Sequence, residues 1–265
     1  MPEVIPLGYD GTVLALAGTM KYRYSLASER GPRKKNQDKG LAEPGLGLFV
    51  VADGMGGYAG GEVASALAVE AVAELVARDQ ADDESTLPFG YPADVDPMPG
   101  LLDVAFRAAD LRVQERREGL LSNMGTTMVA VLVRGRRVAL AHVGDSRIYR
   151  LGSGGMDQMT RDHSLYEELR AAGSEVPPIH EFPYANVITR AIGAQSRADL
   201  QLLEVTAPMT LLLCSDGLSG ALDDELMAKI LESVSPERAA DVLVSDAIDA
   251  GANDNVTALV LALEP

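Results

Sequence analysis

Three short apolar runs, Met128–Val133, Val138–Val143 and Arg147–Leu151, follow one another almost without interruption. Only Arg134–Arg137 and the turn at Gly144-Asp145 separate them. Links this short join antiparallel neighbours, so the segment is a meander. Further strands are expected at Gly47–Ala52, Leu200–Val205, Thr210–Cys214 and Asn255–Leu263. Helical spacing of apolar residues predicts helices over Glu62–Ala77 and Leu101–Leu121. Shorter helices are expected at Ser164–Ala172, stopped by Gly173, at Asp223–Glu232 and at Pro236–Ala250, where proline suits a first turn. Helices thus fall between groups of strands instead of following each strand. That order argues against a doubly wound parallel sheet and for an α+β fold of mixed layers with antiparallel sheets.

The remaining segments read as connections. Residues 1–20 carry no charged run or clear period and are expected to form an arm or an added strand. Residues 21–265 are expected to form a single domain. Asp79–Gly100 holds six acids, four prolines and no base, and reads as an acidic surface loop. Lys21–Lys39 reverses the balance: seven Lys or Arg face Glu29 and Asp38.

Composition removes whole classes of function. A single cysteine, Cys214, excludes an intrachain disulfide and a cysteine-based zinc or iron–sulfur site. It sits in an apolar run with no adjoining base, so it is expected to be buried and inert. A net charge of −16, from 23 Lys and Arg against 39 Asp and Glu, is the wrong sign for binding nucleic acid. No apolar run reaches the roughly 18 residues of a membrane span, and no signal peptide is visible. A cytoplasmic protein with no membrane partner is the expectation.

The position of the acids is more informative than their number. Asp53 follows LFVVA, Asp145 follows VALAHVG, Asp216 follows TLLLCS, Asp254 precedes NVTALVLAL, and Asp38 closes the basic stretch. Any one of them is an ordinary turn residue. Together, strand ends brought to one sheet edge would concentrate negative charge, which is costly unless cations bind. Hard oxygen ligands without Cys or His favour magnesium or manganese over zinc or copper. Two such ions roughly 3.5–4 Å apart can share and deprotonate a water, which suits attack on a phosphate ester. Arg33, in the basic stretch, offers a planar fork for phosphate oxygens.

The segments RKKNQD (33–38), VADGMGG (51–57), MGTTMV (124–129), HVGDSRIYR (142–150), TRDHS (160–164), NVITRAIG (186–193), LLCSDGL (212–218) and NDNVTALV (253–260) occur in one order. In them the chain resembles the PPM family, the metal-dependent protein phosphatases of type 2C, in its bacterial form. The resemblance implies a four-layer α-β-β-α sandwich, with two central antiparallel sheets flanked by helices. It implies serine/threonine phosphatase activity through a hydroxide bridging two Mn²⁺ or Mg²⁺ ions, with a third, weaker metal site. Asp53 would bridge the core ions and the Gly54 carbonyl would ligate one. Asp216 and Asp254 would complete a ligand set, and Asp38 would act through bound water. Asp145 would serve the third site, and Arg33 would bind substrate phosphate. Asn36, Thr126 and Thr127 would support these groups, and a variable flap would span about 164–186. Apart from the resemblance, His163, in Asp162-His163-Ser164, is expected to be a supporting residue, structural before substrate-proximal. The implied partners are phosphorylated proteins, Ser/Thr kinases and their substrates, met by a monomer. Two positions depart from parts of the family. Met55 replaces a histidine that could protonate the leaving group. Gln37 replaces an acid, which is expected to weaken metal affinity modestly. The competing expectation is a phosphatase-like domain that binds phosphoproteins without turnover.

Overall fold

The computed structural model describes residues 12–13, 21–56, 60–81, 96–195 and 197–264. In chain order the strands are β1 (Thr12–Val13), β2 (Lys21–Glu29), β3 (Asp38–Glu43), β4 (Leu48–Met55), β5 (Gly125–Thr126), β6 (Met128–Arg134), β7 (Arg137–Val143), β8 (Arg147–Gly152), β9 (Gly155–Gln158), β10 (Asp199–Glu204), β11 (Met209–Cys214) and β12 (Val256–Glu264). The helices are α1 (Gly60–Ala81), α2 (Pro97–Glu115), α3 (Leu165–Ala171), α4 (Asp216–Ser219), α5 (Asp224–Ser233) and α6 (Pro236–Asp249).

The strands form two sheets whose described pairs are all antiparallel, in the orders β1-β2-β12-β11-β8-β9 and β10-β7-β6-β4-β3, with β5 paired to β4. The α1 and α2 pair covers one sheet, and α5 and α6 cover the other. Between the sheets lies an inner core that includes Phe49, Val51, Val129, Val131, Leu140, Ile148, Leu211, Leu213, Leu259 and Leu261. This architecture explains why the strands read as continuous apolar runs. Alternate residues point to opposite faces. Phe49 and Val51 of β4 therefore enter the inner core, while Leu48, Val50 and Ala52 meet the helices. Both faces are buried, so neither needs polar residues. Each fully buried Val, Leu or Phe here contributes about 1.5–3 kcal/mol.

Some boundaries differ from the sequence expectations. Both ends of the expected acidic loop are helical, since α1 continues to Ala81 and α2 begins at Pro97. Asp96 caps α2 by accepting the Met98 amide at 3.0 Å, and Pro97 occupies a position whose N–H needs no partner. Residues 82–95 of that stretch lie outside the described residues. The helix expected to reach Leu121 ends at Glu115, and Gly119–Leu121 is a separate 3₁₀ turn. Strands β2, β3 and β9 carry too few apolar residues to show a period. They are recognised by pairing alone: β2 to β12 from Glu29–Val256 to Lys21–Glu264, and β3 to β4 with Asp38 opposite Asp53. Of the N-terminal twenty residues, Thr12–Val13 pair with β2 opposite Arg23 and Tyr22; the others lie outside the described residues.

Candidate metal centre

The acids gather where the two sheets meet at one end of the sandwich. Asp38 opens β3 and lies directly across the ladder from Asp53, near the end of β4. Asp216 begins α4, which follows β11, and Asp254 stands two residues before β12. The Asp53 and Asp216 carboxyls lie close enough for the charge of Asp216 to help raise Asp53. Asp145, in the β7–β8 turn, lies close enough to raise the Asp53 carboxyl by its charge.

The electrostatics are those of an over-acidic pocket. Burial, and then the charges of Asp216 and Asp254, push Asp38 up to about 6 although Thr257 and Ser215 bond to it. Burial, helped by Asp38 and Asp216, raises Asp53 well above the usual carboxylate range. Burial and the charge of Asp216 push Asp145 up to about 7. Asp216 is raised chiefly by burial. Two oxygens, Asp38 Oδ1 and Asp216 Oδ1, are buried without a hydrogen-bond partner among the described residues. An acceptor-only oxygen left bare in the interior costs free energy unless a cation or its water shell meets it. Hard divalent ions fit this donor set: all oxygen, all carboxylate or carbonyl, several from one small volume.

The other oxygen of Asp38 is held firmly. Ser215 Oγ donates to Oδ2 at 2.8 Å and Thr257 Oγ1 at 2.7 Å. Because Thr257 spends its proton on Asp38, Ser28 Oγ must donate to Thr257 at 2.7 Å, and Asn36 Nδ2 donates to Ser28 at 2.9 Å. Asn36 also accepts the Asp38 amide through Oδ1 at 3.1 Å. Asn255 pins the basic loop to β12. Its Nδ2 donates to the Arg30 and Lys35 carbonyls, both at 2.8 Å, and its Oδ1 accepts the Gln37 amide at 2.8 Å. Sequence reasoning passes over Ser215, Thr257 and Asn255. Each is an ordinary polar residue beside a noted aspartate, and the one available signal is that β-strand neighbours share an edge.

Thr126 and Thr127 hold the backbone at Asp53. The Thr127 amide donates to the Asp53 carbonyl at 2.8 Å, and the Thr126 hydroxyl lies 2.7 Å from the same oxygen. The Asp53 amide donates to Thr127 Oγ1 at 3.1 Å. Gly54 lies so close to α1 that a Cβ there would stand 2.0 Å from the Gly61 carbonyl, so no other residue fits. Arg33 does not stand free. Its Nη2 donates to Asp254 Oδ2 at 2.6 Å and its Nε to the Asn253 carbonyl at 3.0 Å, with the side chain 55% exposed.

His163 is placed outside this cluster, in a second group of two buried histidines and the exposed Asp199. Donor atoms of His142, His163 and Asp199 lie within 4.8 Å of one another, a spacing that would suit a transition metal. The wiring opposes that use. The Gly144 amide donates to His163 Nδ1 at 3.0 Å, which puts the ring proton on Nε2, facing Asp199 Oδ2 at 3.2 Å. Arg190 Nη1 fills the remaining space, 2.9 Å from Asp199 Oδ1 and 3.2 Å from His163 Nε2. His142 stacks on His163 at 4.6 Å and bonds the Arg161 carbonyl through Nε2 at 2.9 Å. Burial lowers both imidazoles and keeps them neutral. Cys214 is buried with its thiol pushed up to about 12, far from nucleophilic.

Comparison with known proteins gives a consistent set of likenesses. The family model described as protein phosphatase 2C matches residues 28–248. The serine/threonine protein phosphatase PstP of Mycobacterium tuberculosis is 38% identical over 247 residues, covering 91% of this chain and 45% of that protein. The chain therefore spans about half the length of that relative. The serine/threonine phosphatase stp of Listeria innocua is 33% identical over 222 residues, covering 81% of this chain and 83% of its own. A crystal structure of the PstP catalytic domain in complex with two manganese ions superposes with a TM-score of 0.78 at 35% identity, over 93% of this chain and 100% of that one.

Proposed function

The chain belongs to the protein phosphatase 2C family, and from that premise we propose that it hydrolyses phosphoserine and phosphothreonine in phosphoproteins with the help of bound divalent ions. The observation that carries the reading is the pair of buried oxygens without a partner among the described residues, Asp38 Oδ1 and Asp216 Oδ1, inside a cluster where Asp38, Asp53, Asp145 and Asp216 are pushed toward neutrality. A domain that only needed to fold would have paired or replaced them.

Asp53, Asp216 and Asp254 with the Gly54 carbonyl would hold two ions, manganese or magnesium, with Asp38 behind them and Asp145 at a third position. When bound, the ions offset the carboxylate charge, acidify a water and neutralise phosphoryl oxygens. The chain's own residues do the rest. Ser215 and Thr257 fix one Asp38 oxygen and leave the other free. Thr126 and Thr127 clamp the Asp53 carbonyl, so the carboxyl above it has little freedom. Arg33 is exposed enough to exchange Asp254 for a phosphate dianion, which it can grip through two N–H groups. The proposed partners are phosphorylated proteins of the cytoplasm, including Ser/Thr kinases and their substrates.

The test is hydrolysis of an aryl phosphate and a phosphothreonine peptide with Mn²⁺, with Mg²⁺ and with chelator, beside Asp216→Asn. Turnover that needs a divalent ion and disappears in the variant is expected. Full activity of Asp216→Asn, or turnover in chelator, would overturn the reading.

A further inference from the structure

Helix α2 turns an acid into the core. Asp110 lies among Phe106, Ala109 and Val113 on the buried face, and is 7% exposed. A carboxylate on a core face is costly unless it is paired or fully hydrogen-bonded. Asp110 has no ion-pair partner among the described residues. Its Oδ1 accepts two backbone amides of one turn, Gly193 at 2.6 Å and Gln195 at 3.2 Å, and its Oδ2 accepts the Gln114 side-chain amide. The turn it holds is an unusual one. Gly193 and Gln195 both have positive φ, +95° and +57°, and Gln195 is the one non-glycine with that conformation among the described residues. Left-handed backbone at a glutamine is costly, so the amides need an acceptor that fixes them.

The same turn leads to the metal centre in three hydrogen-bonded links. Ile192 exchanges two bonds with Thr126, N–H to carbonyl at 2.8 Å and the reverse at 3.2 Å. Thr126 pairs with Gly54 across the β4–β5 ladder. The Thr126 hydroxyl lies 2.7 Å from the Asp53 carbonyl. Just past the end of α2, Arg117 Nε donates to the Met124 carbonyl at 2.8 Å and secures the other end of β5. Strand β5 is two residues long, too short to hold its own register. Its position is set by what lies on either side.

We infer that Asp110 is a positioning residue for the metal centre: by clamping the Gly193–Gln195 turn it fixes β5, and through β5 the Asp53–Gly54 backbone. The inference rests on the reading of Asp53 and Gly54 as metal-binding groups. It concerns a side chain that touches neither metal nor substrate, on a helix that sequence alone assigns to packing.

Two measurements on Asp110→Ala test it. In chelator, amide hydrogen exchange across residues 124–128 is expected to quicken about tenfold or more, because β5 loses its outer support. By calorimetry, manganese affinity is expected to fall about tenfold, the lower end of what loss of a supporting contact costs a metal site. Asp110→Asn retains an acceptor oxygen and is expected to restore affinity to within about threefold of the wild type. Should Asp110→Ala not fold, Asp110→Glu keeps the charge but displaces the turn by one methylene, and the same two changes are expected at about threefold. Unchanged exchange in 124–128, or unchanged manganese affinity in a variant that has only lost melting temperature, overturns the inference. Absence of manganese binding by the wild type would instead sink the metal reading, and the exchange rates would still decide whether Asp110 holds β5.

Discussion

Two buried polar assemblies meet at the Gly144–Asp145 turn, and they treat charge in opposite ways. In the acid cluster, Asp38, Asp53, Asp145 and Asp216 crowd together, two of their oxygens lack a partner among the described residues, and the pocket presses its own members to take up protons. In the histidine group, the polar atoms are largely paired with one another or with backbone. His163 alone takes the Gly144 amide on its ring, gives its backbone N–H to the Gly144 carbonyl at 2.9 Å, and accepts the Thr189 amide at 2.8 Å. Bonds from His163 and Arg190 outweigh the burial of Asp199 and hold that acid low. Arg147 and Asp162 nearby form a forked pair at 3.0 and 2.7 Å, with Tyr149 taking a further bond. Both assemblies contain ligand-type residues. What separates them is satisfaction: the histidine group is closed by hydrogen bonds and an ion pair, and the acid cluster keeps buried oxygens without a partner among the described residues. Closeness of ligand-type residues marks the histidine group; unmet hydrogen-bonding capacity marks the acids.

The largest expected effect breaks the acid cluster. Asp53→Asn should cut turnover by about a thousandfold or more and remove manganese binding. In chelator at pH 8 the same variant should melt higher than the wild type, because one member of a repelling set is gone. A lower melting temperature for metal-free Asp53→Asn would mean that the cluster is a structural network after all. Next in size is the opposite change. His163→Ala leaves the Gly144 amide and Asp199 without their partner and opens a cavity under His142, at a cost of about 2–4 kcal/mol in urea unfolding, with or without manganese.

A smaller effect sharpens the contrast through pH. A carboxyl raised in the fold adds stability that is complete below its unfolded value of 3.8 and is lost as pH rises through its folded value. For Asp38 and Asp145, the metal-free protein should therefore lose stability as pH climbs through about 6 and about 7. Asp145→Asn should remove the upper part of that loss, and saturating manganese should abolish it in the wild type. A metal-free melting profile identical for wild type and Asp145→Asn between about pH 4 and pH 7, the unfolded and folded values of that carboxyl, would show that Asp145 is not under strain.

Much of the fold is legible in the order of residues along the chain. The strands at 128–133, 138–143 and 210–214 can be read there because both faces are buried and nearly every position is apolar. Strands β2 and β3 cannot, because Lys21, Arg23, Glu29, Lys39 and Glu43 interrupt them and only their ladders to β12 and β4 make them strands. The aspartates stand out because each abuts an apolar run or closes the basic stretch. Arg33, expected on substrate, is found on Asp254. Ser215, Thr257 and Asn255 lie inside the segments that carry the family resemblance but have nothing in their residue type that announces their contacts, and Asp110 carries no local mark at all.

By itself, then, the sequence determined many of the local elements: apolar period, glycine and proline at the turns, an acid beside several strand ends. Those are properties of neighbours along the chain, and short-range sterics and burial decide them. Only the tertiary structure decided which acids are left without a partner. Asp38, Asp53, Asp145 and Asp216 come from four separate places along the chain, and their protonation depends on distances between those places. Charge balance inside a protein is a sum over neighbours in space, and no stretch of sequence contains it.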